Sequence, residues 1–117
     1  MRPFPGEFYF NLTSYGNLLG EFTNRSEAGM CTESSVRETG EQAAGVYTGK
    51  YQTTWFDSES KQAVYAVLTI DPEHGKAAGR HELIWTDPKK KEIQFHGYGF
   101  VCNGMLIGHY SDGAKKE

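Results

Sequence analysis

Short runs of alternating apolar and polar residues, separated by Gly, Asn, Asp or Pro, dominate this chain. Alternation with a period of two is typical of β-strands that bury one face. The runs predict eight strands, at residues 7–13, 18–23, 30–36, 46–56, 63–70, 81–86, 92–102 and 105–110. Eight strands can close a small barrel that is either filled by side chains or holds one small ligand. We therefore predict an all-β, antiparallel up-and-down barrel with little helix, forming a single domain over residues 1–117.

Turn residues between the runs favour hairpin connections from Val46 onward. Asn103-Gly104 separates two apolar runs, and this dipeptide is the strongest short hairpin signal because both of its positions adopt positive φ. Polar segments at residues 58–61, 71–75 and 87–91 indicate further solvated turns. The C-terminal two thirds of the chain are therefore expected to form a continuous meander.

The segment at residues 26–44 has the least regular pattern in the chain. It contains good helix formers, but Gly29 and Gly40 interrupt it and its apolar residues do not recur at helical spacing. The pattern favours a strand near residues 30–36 followed by a polar loop. A helix of one or two turns is the alternative.

Strand alternation predicts which side chains point into the barrel. In the fourth run the aromatic residues Tyr47, Tyr51 and Trp55 share one face, and the opposite face is hydrophilic. In the sixth run His81 shares a face with Leu83 and Trp85, and His109 is expected to face inward beside Ile107. Each of these two histidines is either a polar anchor in an apolar pocket or a hydrogen-bonded core histidine. The predicted ligand-binding residues share an inward position, and they are Tyr47, Tyr51, Trp55, His81, Leu83, Trp85 and His109.

The seventh run is apolar on both faces, which predicts a contact beyond the barrel interior. Its outer face carries Tyr98 and Phe100, and a contiguous apolar patch of this kind often marks an interaction surface. This face is either covered by another subunit, as in a homodimer through Tyr98 and Phe100, or covered by a terminal segment, or left as an exposed apolar patch. A homo-oligomeric interaction module is therefore the alternative to a ligand-filled interior.

Composition and charge narrow the classes of partner. Aromatic residues make up 14% of the chain and the formal net charge is −3, so there is no basic stripe for binding nucleic acid. No apolar stretch reaches the length of a membrane-spanning helix, and the N-terminal residues lack the apolar core of a secretory signal. These features predict a cytoplasmic protein with no membrane partner. Cys31 and Cys102 are either two inert thiols or one disulfide.

The chain also resembles a known class of small barrels. The residues that carry the resemblance are the run Gly45-Val46-Tyr47-Thr48-Gly49-Lys50-Tyr51, then Trp55, Leu83-Ile84-Trp85, Gly97-Tyr98-Gly99 and Leu106-Ile107-Gly108-His109-Tyr110. Over roughly the last seventy residues, this G-x-Y-x-G-x-Y pattern and the spacing of the strands are similar to those of calycin-type barrels, the lipocalin- and avidin-like group. The resemblance implies a pocket at the barrel mouth for a small, largely apolar ligand. The Gly-x-Trp signature of lipocalins and the biotin contacts of avidins are missing.

Catalytic and metal-binding motifs are scarce. The histidines form no spaced pair that is typical of a metal site, and no nucleotide or nucleophile motif is present, so no metal and no cofactor are expected. The residues available for acid–base chemistry at a barrel mouth are Glu33, Glu82, Tyr47, Tyr51 and Arg80. Three functions remain open in this order: a non-catalytic barrel binding a small hydrophobic or aromatic molecule, an oligomerising interaction module with a solid core, and a small acid–base enzyme of lipocalin-like shape.

Overall fold

A computed structural model describes residues 6–24, 30–38, 46–57, 60–72 and 80–113. These residues form eight strands: β1 (Gly6–Leu12), β2 (Leu18–Asn24), β3 (Cys31–Arg37), β4 (Gly49–Asp57), β5 (Gln62–Pro72), β6 (Arg80–Thr86), β7 (Ile93–Cys102) and β8 (Met105–Asp112). Each strand pairs antiparallel with the next, and β8 pairs with β1, so the sheet closes into a barrel. The predicted up-and-down barrel is confirmed, and the described residues include no helix able to cross a membrane.

The turns predicted at 87–91 and 103–104 connect β6 to β7 and β7 to β8, whereas those predicted at 58–61 and 71–75 lie partly outside the described residues. Asn103 and Gly104 have φ angles of 54° and 77°, as the tight hairpin between β7 and β8 requires. The segment near residues 30–36 is a strand, β3, and the loop expected after it lies mostly outside the described residues. The fourth strand begins at Gly49 instead of Val46, and residues 46–48 precede it without regular secondary structure.

The inward faces of most strands supply an apolar core, as alternation predicts. Phe10 is 1% exposed, and six of the described residues on these faces have no accessible surface: Leu18, Tyr51, Leu68, Ile70, Leu83 and Leu106. The buried aromatic rings contact one another, and Phe8 packs against both Phe10 and Trp85. The interior is therefore largely filled by side chains over part of its height.

Strand β3 is the exception, because its buried face is polar. Glu33, Ser35 and Arg37 alternate along this face and are 4%, 1% and 7% exposed. The hydroxyl of Thr53 on β4 donates to Glu33 at 2.6 Å and lies 2.7 Å from the hydroxyl of Ser35. Hydrogen bonding between β3 and β4 thus offsets the cost of burying these polar groups.

One end of the barrel is closed by Tyr47 and Arg37, and we call it the closed end. The Tyr47 hydroxyl lies within hydrogen-bond distance of two backbone carbonyls, those of Phe10 (3.0 Å) and Gly104 (2.7 Å). The Arg37 guanidinium donates to the carbonyls of Gly16, Thr48 and Val46 at 2.7–2.9 Å and lies over the Tyr51 ring. These bonds link residues of the β1–β2, β3–β4 and β7–β8 connections, which together form the floor of the barrel.

Two strand glycines allow the aromatic rings to pack closely. A Cβ atom on Gly97 would lie 2.5 Å from the His109 carbonyl oxygen and 2.9 Å from Cβ of Tyr110. A Cβ atom on Gly108 would clash with the backbone of Tyr98 and lie 2.8 Å from the Phe8 ring. Glycine at these positions is therefore required by the spacing between neighbouring backbones and rings.

No disulfide joins Cys31 and Cys102, so the disulfide alternative does not apply. Cys31 is half-buried against the core, whereas Cys102 is exposed at the end of β7. The outer face of β7 does carry exposed apolar surface, with Phe100 51% exposed beside its cross-strand neighbour Ile107.

Candidate functional site

A cavity of about 690 Å³ occupies the end of the barrel opposite the closed end, which we call the mouth. The end of β4, the hairpin between β6 and β7, and the end of β8 surround it. This volume falls within the range of ordinary small-molecule sites, roughly 300–1,000 Å³. The inward-facing rings that form its wall are Phe8, Phe22, Trp55, Trp85, Phe95 and Tyr110.

The wall is a connected aromatic cluster, mostly in edge-to-face geometry. Phe95 lies at its centre, with ring centroids 5.8 Å from Trp55, 6.4 Å from Trp85 and 5.6 Å from Tyr110. The interplanar angles of these three pairs are 67°, 89° and 87°. Such arrangements are favoured by the ring quadrupoles and fix the orientation of each ring. The wall is consequently preformed and apolar.

Glu33 is the buried carboxyl group of this cavity, and it lies directly across the strand pair from Trp55. Its Oε2 atom accepts hydrogen bonds from the Thr53 hydroxyl (2.6 Å) and from Nε1 of Trp85 (2.9 Å). Burial raises the pKa of Glu33 from 4.5 to about 7, although the two hydrogen bonds act in the opposite direction. A carboxyl group with this pKa exists in both protonation states near neutral pH.

An irregularity in β7 turns Gln94 toward the mouth. Trp85 pairs with Phe95 and Thr86 pairs with Ile93, so Gln94 is an extra residue of the kind found in a β-bulge. Its Nε2 atom lies 3.4 Å from Asp87, whereas its buried Oε1 atom has no hydrogen-bond partner in the described part of the chain. The bulge therefore presents a buried acceptor beside the cavity.

The rim of the cavity is predominantly acidic among the described residues. Asp57, Asp87, Glu92 and Asp112 lie around it, and Lys90 is the basic residue in this set. Backbone amides of Lys90 and Lys89 donate to Asp87 Oδ1 at 2.9 and 2.8 Å. These bonds lower the pKa of Asp87 below its usual value, so this carboxylate stays ionised at neutral pH.

The structure separates the sequence-predicted residues by height in the barrel. Trp55 and Trp85 line the cavity, as expected. Tyr47, Tyr51 and Leu83 are buried, but they are absent from the described lining and belong to the closed half.

The two histidines of the predicted site occupy different positions. His81 is half-buried at the start of β6, on the face of Leu83, and does not belong to the described lining. The expectation that His109 faces inward is wrong, because Leu106 and Tyr110 take the buried positions of β8. His109 is exposed on the outer face near Tyr98.

The residues that the sequence offers for acid–base chemistry do not lie together in the structure. Glu33 is in the cavity, but Glu82 is on the outer face, where its Oε2 atom lies 2.7 Å from Nε2 of His96. Arg80 lies over the ring of Tyr98, also on the outer face. Among the described residues, no three His, Cys, Asp or Glu side chains lie close enough to hold a metal ion.

Comparison of the chain with family models, with curated proteins and with solved structures finds no match.

Proposed function

We propose that this protein is a non-catalytic barrel that binds a small hydrophobic or aromatic molecule in the cavity at its mouth. The observation that carries the proposal is the cavity itself, which combines about 690 Å³ of volume with a wall of oriented aromatic rings. An apolar ligand would gain free energy by leaving water and by contacting the faces and edges of these rings.

The closed end supports a binding role because it makes the cavity a dead-end pocket. Tyr47 and Arg37 fix the floor through hydrogen bonds to backbone carbonyls, and Leu83 and Leu68 fill the barrel with no accessible surface. A preformed pocket on a rigid scaffold reduces the entropy lost on binding. Calycin-type barrels share this design, and the eight-stranded closed topology is compatible with that group.

The experiment is a titration with N-phenyl-1-naphthylamine, an uncharged fluorescent probe, while exciting tryptophan. Trp55 and Trp85 are the two tryptophans of the chain and both line the cavity, so a probe bound there quenches them by energy transfer. We expect saturable binding with one site per chain. No saturable quenching, with the chain shown to be folded, would overturn the proposal.

Two matched substitutions on β5 test the location of the probe. Val64 faces the cavity and Val67 does not line it, although both lie on the same strand. We expect Val64→Trp to weaken binding at least about tenfold by filling the mouth, since excluding even part of an apolar ring costs more than ~1.4 kcal/mol. Val67→Trp should leave the affinity unchanged. Equal effects of the two variants would place the probe elsewhere.

A second candidate function is self-association through the outer face of β7 and β8. Phe100 and Ile107 are cross-strand neighbours there and are 51% and 37% exposed, beside the half-buried Tyr98. Sedimentation of the purified chain tests it: Phe100→Ser should convert a dimer to a monomer, whereas Tyr65→Ser, at an exposed position on β5, should not. A wild-type monomer at all concentrations would exclude this function.

A further inference from the structure

We propose that the ligand is a protonated amine on an aromatic or other apolar body, with the Glu33 carboxylate as the ionic partner of its ammonium group. This inference rests on the proposed function, because it names the chemical class that the mouth cavity accepts. The supporting observations are the chemistry of the buried polar atoms at the cavity and the position of the carboxyl group within the aromatic wall.

The first observation is that a carboxyl group is buried where an apolar ligand would lie. Glu33 is 4% exposed, and the described hydrogen bonds to it, from Thr53 and Trp85, both end on Oε2. An ionised carboxyl group accepts several hydrogen bonds, so Oε1 offers further acceptor capacity to a donor in the cavity. A charged donor makes the strongest such bond, because both partners are charged and water is largely excluded.

The second observation comes from Gln94 and does not involve Glu33. Its Oε1 atom is buried, lacks a partner in the described part of the chain, and belongs to a residue of the cavity lining. An unsatisfied buried acceptor costs free energy until a donor reaches it. Both groups therefore call for hydrogen-bond donors, and an ammonium group supplies three without adding an acceptor.

The charges of the rim favour the same class of ligand. Four described carboxylates, those of Asp57, Asp87, Glu92 and Asp112, surround the cavity against the single ammonium of Lys90. The excess of negative charge among the described rim residues raises the local concentration of cationic ligands. The aromatic wall is equally suited to cations, since an ammonium group is attracted to the faces of Trp and Tyr rings.

Amine binding by this cavity should depend on pH through Glu33. The carboxyl pKa of about 7 means that roughly half of the molecules carry the anion at neutral pH, and binding of a cation would release the proton from the rest. The described titratable groups that share the cavity with Glu33 are Tyr110, Asp57, Asp87, Lys90, Glu92 and Asp112. Arg37 lies farther along the same face of β3, at the closed end.

The test compares three probes with one ring system by calorimetry at pH 8: naphthalen-1-ylmethylammonium, naphthalen-1-ylmethanol and 1-naphthoate. We expect the cation to bind about tenfold or more tightly than the alcohol, the magnitude of a charge-assisted hydrogen bond, and the anion to bind most weakly. This advantage of the cation should shrink at pH 5.5, where Glu33 is protonated.

Glu33→Gln supplies the decisive variant, because an amide keeps an acceptor for Thr53 and Trp85 but carries no charge. We expect it to remove most of the advantage of the cation and to change the affinity for the alcohol less than threefold. The control is Glu7→Gln, the same substitution at an exposed position on β1, which should change neither affinity.

The outcomes separate this inference from the proposed function. If the alcohol binds and the cation binds no better, the amine class is overturned while the pocket stands. If the advantage of the cation persists in Glu33→Gln, Glu33 is not its partner and the inference fails. If none of the three probes binds the folded protein, the proposed function itself is overturned.

Discussion

The indole N–H of Trp85 donates a hydrogen bond of 2.9 Å to the Glu33 carboxyl group, from the other side of the barrel interior. One residue of the aromatic wall is thereby coupled directly to the buried polar group of the cavity. Because Trp85 also packs against Phe8 and Phe95, the position of the carboxyl group is tied to the ring cluster. Both the stability of the fold and the binding of a ligand should therefore depend on the protonation state of Glu33.

We predict that ionisation of Glu33 destabilises the folded protein as the pH rises. Between its unfolded pKa of 4.5 and its folded pKa of about 7, the folded chain holds more protons at this site than the unfolded chain does. Raising the pH through this window therefore lowers the free energy of unfolding, by an amount on the order of 3 kcal/mol for a shift of this size.

Urea unfolding of the wild type and Glu33→Gln between pH 4.5 and 8.5 measures this effect. The variant should gain stability relative to the wild type as the pH rises, because the amide does not titrate. The difference between the two curves removes every contribution that the two proteins share. Glu7→Gln should show no such gain, and a flat difference curve for Glu33→Gln would contradict the account.

We predict that the hydrogen bond from Trp85 lowers the pKa of Glu33 in the folded state. Trp85→Phe removes the donor and keeps a ring, so the carboxyl pKa should rise above its wild-type value. Trp55→Phe is the control, because Trp55 lines the cavity without a described hydrogen bond to Glu33.

Side-chain carboxyl carbon shifts in NMR measure the pKa in each variant. Thr53→Val removes the other donor to Glu33 and provides a second test if Trp85→Phe does not fold. A pKa that stays at the wild-type value after loss of either donor would contradict the assigned network.

We predict that the closed end contributes to stability and not to ligand affinity. Tyr47→Phe removes the hydroxyl near the carbonyls of Phe10 and Gly104 and should destabilise the barrel by roughly 1–3 kcal/mol, the cost of a buried group left unpaired. Tyr65→Phe removes an exposed hydroxyl and should have no effect. Probe affinity, measured below the unfolding transition, should be unchanged in both variants. A large loss of affinity in Tyr47→Phe would place the site at the closed end.

Alternation along the chain was sufficient to predict the strands, the barrel and most inward faces. It carries no information on where along the barrel axis an inward residue lies. Tyr51 and Trp55 share one face of β4, yet they are four residues apart, which is ~13 Å along a strand. Tyr51 is therefore part of the closed half, where its hydroxyl donates to the Tyr47 carbonyl, and Trp55 is at the mouth. The position of the opening depends on the packing of all eight strands.

Alternation alone did not identify every inward-facing residue, and each case has a physical reason. Glu33 is a candidate for the barrel mouth because of its chemistry, but the polar buried face of β3 has no apolar alternation that would mark this residue as interior. In β8 both faces contain apolar residues, and the pattern led to His109 instead of Tyr110. Gln94 reaches the cavity because of an irregularity in strand pairing that no periodic pattern encodes.

The most direct test of the account uses the indole N–H signals of the two tryptophans in a ¹⁵N–¹H correlation spectrum at pH 8. Both indoles belong to the cavity wall, and that of Trp85 also reports on Glu33. On titration with naphthalen-1-ylmethylammonium we predict saturable shifts of both signals with a single dissociation constant. Indole signals that stay in place at high probe concentration, in a folded protein, would contradict the claim that the mouth cavity is a ligand site.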